Sequence, residues 1–147
     1  MSDLGRLYQQ SILEHDKAPR HSAPLVASTH AADVSNPLCG DRVSLTLQVD
    51  GEWLRGVGCQ VRGCAICRAS GSMMAEAIVG RDLGAVRGLC ERFLAAVNAA
   101  PSPEPAEADA EVVAWGPLSV LLEARRFSNR RRCATLSWEA LARALSG

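Results

Sequence analysis

Residues 42–61 read RVSLTLQVDGEWLRGVGCQV, and this stretch decides the fold of the chain. Its first half alternates apolar and polar side chains, which is typical of a strand with one buried face. Asp50-Gly51 then supplies the dipeptide that tight hairpin turns favour. A return strand is predicted over residues 52–61. We therefore expect an antiparallel hairpin whose second strand places four side chains on one face: Trp53, Val57, Cys59 and Val61.

Helices are predicted on both sides of this hairpin. Apolar side chains recur at helical spacing in residues 2–17 and 83–97. Residues 65–79 are rich in alanine and methionine and lack proline, and residues 137–145 have an acidic residue, Glu139, in the first turn after Ser137, so both segments are also predicted to be helical. Ser2 and Ser137 are the expected N-caps, and Pro19 and Gly80 stand where the first two helices should end. A short extended piece is expected near residues 29–34, and a short apolar segment covers 112–122. The order of elements predicts an α+β fold, a small antiparallel β-sheet packed against several α-helices.

Length and composition favour one globular domain, residues 1–147, with a variable Pro-, Ala- and acid-rich insertion around 99–110. Sixteen basic and sixteen acidic residues balance, which argues against a general nucleic-acid binder. No apolar run reaches the roughly 18 residues of a membrane span, so no membrane partner is expected. The polar N-terminus lacks the features of a signal peptide, which predicts a cytoplasmic protein with reduced or metal-bound cysteines.

Two of the six cysteines are expected to be core residues. Cys90 lies on the apolar stripe of its predicted helix and Cys59 lies between Val57 and Val61 on its strand, so both are interpreted as small buried hydrophobes. Replacing either with alanine should cost stability without affecting metal content. Cys64 and Cys67 form a C-x-x-C pair that shares one helix face. Cys67 is either a packed side chain or a reserve thiol near a site.

The remaining cysteines have settings that suit a metal site. Cys39 and Asp41 flank a glycine in a turn, so that both side chains could face one ion. Cys64 stands where a strand gives way to a helix, and Cys133 follows an arginine run; both settings favour the thiolate. Three thiolates and one carboxylate form a four-ligand set for zinc or iron. The alternative from spacing alone is scattered structural cysteines.

Three motifs together resemble a known family. They are NPLCGD at 36–41, GCAICRASGSMM at 63–74 and RCATLSW at 132–138, and the segment 7–20 is similar to the opening helix of the same family. The combination resembles the iron–sulfur assembly proteins of the IscU/NifU N-terminal superfamily, in particular the SufU type. Arg132 stands where IscU-type chains carry histidine, and the LPPVK motif is absent. Cys67 and Gly71 depart from the family pattern.

The resemblance implies a SufE/NifU/IscU-like fold and a zinc site formed by four residues: Cys39, Asp41, Cys64 and Cys133. It implies a zinc-dependent sulfur acceptor, or sulfurtransferase, that takes persulfide sulfur from a PLP-dependent cysteine desulfurase of the SufS type. Downstream iron–sulfur assembly or acceptor proteins would then be further partners. Cys39 is the expected acceptor because its turn contains proline and glycine.

Other interpretations stay open beside this one. The same ligands could bind iron and assemble a [2Fe–2S] cluster as a scaffold, or they could form a purely structural zinc site. Arg130 and Arg132 either belong to a solvated face or balance the thiolates and steer a partner. Cys67 is an alternative sulfur acceptor.

Overall fold

The computed structural model describes residue 10 and residues 12–37, 40–99, 115–126 and 130–146. Three antiparallel strands form one sheet in the order β1-β2-β3: His30–Asn36, Asp41–Asp50 and Trp53–Arg62. The predicted hairpin is confirmed, and the extended piece expected near residues 29–34 is the larger part of β1. The pairing of β1 with β2 runs from His30 opposite Leu47 to Asn36 opposite Asp41. The first turn of the sheet therefore lies between Asn36 and the start of β2 at Asp41.

One prediction for β3 is wrong, and a β-bulge explains why. The register of β2 and β3 shifts at Gln48 and Val49, because Val49 pairs with Leu54 whereas Gln48 pairs with Gly56. One extra residue in β3 exchanges the two faces of the strand on either side of the bulge. Leu54 is consequently buried, and Trp53 is 47% exposed instead of facing the core.

Three α-helices and one 3₁₀ helix follow the sheet in the chain, and the first and third of these α-helices pack directly on it. They are α1 (Ala65–Ile78), α2 (Leu83–Asn98), the 3₁₀ helix (Gly116–Arg126) and α3 (Arg131–Ser146). The first two agree with the predicted helices. Residues 12–17 are also helical, whereas Ser2 and most of the insertion at 99–110 lie outside the described residues. Among the helices of the described part, none is long and apolar enough to cross a membrane.

The prediction that the last helix begins at Ser137 is wrong. Helix α3 begins at Arg131, so Cys133 lies in its first turn and Ser137 lies in its interior. Ser137 is fully buried, and its Oγ accepts a long hydrogen bond from Cys59 Sγ (4.0 Å). The serine is therefore a packing residue at the contact of α3 with the sheet, and it is not a cap.

The core joins all three helices around Trp138. Its ring stacks on Phe93 of α2 with a centroid distance of 4.1 Å, and both side chains are fully buried. Its Nε1 donates to Ser70 Oγ of α1 (3.2 Å). Ser70 Oγ in turn donates to the carbonyl oxygen of Ala134 (2.5 Å). This set of contacts fixes the start of α3 against α1.

Gly71 gives α1 its close approach to the sheet and to α3. A Cβ at this position would lie 2.7 Å from Val61 Cγ2, 2.9 Å from Ser137 Oγ and 3.0 Å from Cys59 Sγ. These neighbours belong to β3 and α3, so both contacts depend on the missing side chain. At Gly71, where the sequence departs from the family pattern, the surrounding side chains therefore leave no room for a Cβ.

We expect Gly71→Ala to lower the free energy of unfolding by about 1–3 kcal/mol, because the added methyl group has no space between α1, β3 and α3. Gly88→Ala is the matched control, since a Cβ at Gly88 meets no atom within 4 Å. That substitution should stabilise α2 by about 0.5–1 kcal/mol through helix propensity. Urea unfolding of the two variants measures the difference; equal stabilisation in both would contradict the packing argument.

Candidate metal centre

Three potential ligands converge although they are far apart in sequence. Asp41 begins β2, Cys64 precedes α1 and Cys133 lies in the first turn of α3. One ligand atom from each lies within 4.8 Å of those of the other two. Cys133 Sγ donates to Asp41 Oδ2 at 3.5 Å across 92 positions of the sequence. Cys39, the fourth expected ligand and the expected sulfur acceptor, lies outside the described residues.

Local backbone geometry positions each of these groups. Gly40 has φ +76°, a left-handed conformation that glycine adopts without strain, and its N–H donates to Asn36 O (2.9 Å). This turn directs the chain into β2 at Asp41. Cys64 is the N-cap of α1 with extended backbone angles, and its side chain makes no capping hydrogen bond. Its thiol therefore lies at the positive end of the helix dipole.

Gly63 provides the space that Asp41 occupies. A Cβ at Gly63 would lie 2.5 Å from Asp41 Oδ1 and 2.7 Å from Asp41 Cγ, distances that no side chain tolerates. Asp41 is only 5% exposed. The glycine before Cys64 thus lets the buried carboxylate lie against the end of β3, within reach of both thiols.

The donor set fits a thiophilic cation. Thiolate sulfur and carboxylate oxygen are the donors that zinc accepts, and three protein donors at one point are enough to hold it. Burial, and then the neighbouring Cys64 and Asp41, raise the pKa of the Cys133 thiol to about 12. A bound cation would act in the opposite direction, because it stabilises the deprotonated thiol.

Arginines surround the opening of this centre. A depression of about 460 Å³ leads to it and is lined by seven residues, Gly40, Asp41, Arg62, Gly63, Cys64, Arg130 and Cys133. Arg130 therefore lies where an auxiliary role was expected. Arg132 instead pairs with Glu139 on the outer side of α3, with Nε 3.6 Å from Oε2. Sequence reasoning missed Arg62; its place two residues before Cys64 was the available signal.

The other cysteines divide into two kinds. Cys59 and Cys90 are 4% and 3% exposed, which confirms the prediction that they are core residues. Burial raises the pKa of each thiol to about 11. Cys67 is completely buried one helical turn from Cys64 and lies outside the group of three converging ligands. The pKa of the Cys67 thiol is raised, mainly by burial and further by the charges of Asp41, Cys64 and Cys133.

Comparisons with known proteins agree with this geometry. The family model of the NifU-like N-terminal domain matches residues 7–134. The zinc-dependent sulfurtransferase SufU of Bacillus subtilis is 35% identical over 95% of this chain and 90% of its own length. The scaffold protein IscU of Streptococcus pyogenes is 31% identical over 99% of this chain and 86% of its own.

A solved structure shows the same fold. It is that of an iron–sulfur cluster assembly scaffold protein for the SUF system from Fervidobacterium islandicum, with a TM-score of 0.81 at 22% identity. The match covers 95% of this chain and 97% of that one. The expected NifU/IscU-like α+β fold is therefore confirmed.

We expect Gly63→Ala to weaken zinc binding by about 10–100-fold, because the methyl displaces Asp41 from the converging group. Titration with zinc against a competing chelator measures the affinity. Cys90→Ala is the control, since Cys90 lies in the core between α2 and α3, and its zinc affinity should equal that of the unmodified protein. Unchanged affinity in Gly63→Ala would show that Asp41 does not contribute to the metal centre.

Proposed function

The chain belongs to the family of the NifU-like N-terminal domain, and from this premise we propose that it acts in iron–sulfur cluster biogenesis as a zinc-dependent sulfur acceptor. The observation that supports this most is the convergence of Asp41, Cys64 and Cys133. A closed structural site would leave its ligands inaccessible to a partner. Here Cys64 is half-buried and lines an open depression, where a partner's sulfur could arrive.

The proposed zinc ligands are Asp41, Cys64 and Cys133, with Cys39 as the fourth. Zinc at this point would hold thiols deprotonated at neutral pH, where a free cysteine with a pKa of about 8.5 is only a few per cent thiolate. Asp41 supplies the hardest and most weakly held donor for zinc. It is therefore the ligand whose release or replacement should disturb the three thiols least.

Cys39 is the proposed sulfur acceptor. Its thiolate attacks the outer sulfur of the persulfide on a PLP-dependent cysteine desulfurase. A new S–S bond forms on Cys39 while the S–S bond of the donor breaks, and the donor's cysteine leaves as a thiolate. The atoms and electrons balance without a further oxidant or reductant.

Arg62 and Arg130 are proposed to guide this encounter. Both line the opening of a site whose donors would all be anionic with zinc bound. Arg62 makes no ion pair within the described residues, so its charge is available to an approaching partner. Positive groups around an anionic centre balance its charge and attract an acidic docking surface, which raises the rate of association.

The first test counts metals in protein purified without oxygen. We expect one zinc per chain, and we expect the protein to accelerate alanine formation by its desulfurase. Cys133→Ala should lose most of the zinc because it removes a thiolate ligand, while the core variant Cys90→Ala should keep it. Iron and sulfide in place of zinc, with no acceleration of the desulfurase, would instead favour the scaffold function named for the Streptococcus pyogenes relative.

The second test locates the accepted sulfur. Trypsin cleaves after arginine and separates Cys39 (residues 21–42) from Cys59, Cys90 and Cys133. After reaction with desulfurase and cysteine, the 21–42 peptide should gain about 32 Da, one sulfur atom. Cys39→Ser should remain folded, bind zinc more weakly and take up no sulfur. Sulfur uptake at the normal rate in Cys39→Ser would exclude Cys39 as the acceptor.

A further inference from the structure

Cys67 differs from the other buried thiols in its surroundings. Cys59 Sγ donates to Ser137 Oγ (4.0 Å) and Cys90 Sγ donates to the carbonyl oxygen of Trp138 (3.3 Å). Cys67 Sγ is just as deeply buried, yet it makes no hydrogen bond within the described part of the chain. Packing as a small apolar side chain accounts for the burial of Cys67, but it does not account for its place one helical turn from Cys64.

The fold places Cys67 directly behind Cys64. Cys64 is the N-cap of α1 and Cys67 is its third residue, and a backbone hydrogen bond from Arg68 N to Cys64 O (3.1 Å) closes this turn. The side chain of Cys64 makes no capping hydrogen bond, so its thiol is not held by the helix backbone. Side chains three positions apart on a helix have Cβ atoms about 5–6 Å apart, and a disulfide requires these atoms to approach to about 3.5–4.5 Å. C-x-x-C pairs at helix N-termini make this approach in disulfide oxidoreductases.

The two thiols also differ in access. Cys64 is half-buried and lines the open depression, whereas Cys67 is 0% exposed on the inner side of the same turn. A partner's sulfur can therefore reach Cys64 but not Cys67. A sulfur atom could therefore reach Cys67 through a neighbouring thiol, and Cys64 lies one helical turn away. C-x-x-C pairs at helix N-termini suit two roles. The exposed thiol accepts a sulfur atom, and the buried thiol then displaces it.

We propose that Cys67 is a resolving thiol for Cys64, which expels a sulfur atom carried by Cys64 as hydrosulfide and leaves a Cys64–Cys67 disulfide. The proposal rests on the proposed function, since sulfur must first reach the site. Cys64 thiolate takes the outer sulfur of the Cys39 persulfide, and Cys39 leaves as a thiolate. The chain would thus convert accepted sulfur into free sulfide without an external reductant.

The resolving step balances in atoms and electrons. The Cys67 sulfur attacks the Cys64 sulfur, a bond forms between these two atoms, and the bond from Cys64 to the outer sulfur breaks. The outer sulfur takes the bonding electron pair and the proton of the Cys67 thiol, and it departs as HS⁻. The cysteine pair is oxidised by two electrons and the outer sulfur is reduced by two. Each chain can therefore release one sulfide until its disulfide is reduced.

Trypsin makes this step directly visible. Cleavage after Arg62 and Arg68 releases residues 63–68, GCAICR, which contain Cys64 and Cys67 and no other cysteine. The full chain is incubated anaerobically with desulfurase and cysteine and without added thiol reductant. We expect one hydrosulfide per chain and a GCAICR peptide that is about 2 Da lighter, as a disulfide requires. A control incubation without the substrate cysteine should give the reduced peptide, and this result would exclude adventitious oxidation.

Two substitutions of Cys67 and one control complete the test. Cys67→Ala and Cys67→Ser should release at least 10-fold less hydrosulfide, and their 63–68 peptide should carry about 32 Da more, the retained sulfur atom. Cys90→Ala should behave like the unmodified protein. Thermal unfolding of each variant shows that it is folded. Equal hydrosulfide release with and without Cys67, and no lighter peptide, would overturn the proposal.

A second sulfur source separates this inference from the proposed function. Cysteine persulfide, supplied in place of the desulfurase, can load Cys64 without Cys39 or a protein donor. Release of hydrosulfide in this arm, with the lighter peptide, supports the resolving role even if the desulfurase transfers no sulfur. Sulfur that enters residues 21–42 and 63–68 from the desulfurase but is never expelled supports the acceptor function and overturns the resolving role.

Discussion

The buried hydroxyl of Ser70 holds together the parts of the molecule on which the metal centre depends. Its Oγ donates to Ala134 O (2.5 Å) and accepts from Trp138 Nε1 (3.2 Å), so that one backbone carbonyl and one side chain of α3 are tied to the middle of α1. Ala134 directly follows Cys133. The contact that fixes the first turn of α3 thus also fixes the distance from Cys133 to Cys64. Buried polar groups left without such partners cost about 1–3 kcal/mol each, so this arrangement tolerates little displacement.

The sheet positions the other groups of the metal centre. Asp41 is held because the turn before it closes through Gly40 and because Gly63 leaves room for its carboxylate. Arg62, the last residue of β3, lines the opening of the same centre. The end of a single hairpin therefore supplies a ligand, the space for that ligand and a compensating charge. The helices need only bring two thiols to a location that the strands have already defined.

Much of the fold could be predicted from local patterns, and the errors have identifiable causes. Asp50-Gly51 and the alternation before it identified the hairpin. The bulge at Gln48 and Val49 carries no distinctive residue, so the exchange of faces at Trp53 and Leu54 was missed. Serine is a residue type that often caps helices. The contact of Ser137 with Cys59 depends on tertiary structure, which sequence spacing does not reveal.

The site was predicted in a different way. Its residues came from motifs that lie far apart, and their convergence depended on the resemblance to a family. Asp41, Cys64 and Cys133 do converge in the structure. Arg62 was overlooked because arginines were sought beside Cys133, where the sequence concentrates them. The fold places Arg62 at the opening through the end of β3, a relation that exists only after the hairpin has formed.

The separation of Asp41 from Cys133 along the chain determines when the centre can form during synthesis. A cation bound by both residues would close a loop of 92 positions, and a cross-link of that length removes about 4–5 kcal/mol of chain entropy from the unfolded state. During synthesis, the hairpin and α1 emerge first, and folding proceeds from the N-terminal side. The centre is completed only when α3 has been made and has docked. Binding of a cation by Asp41 and Cys133 together therefore requires that synthesis has passed α3.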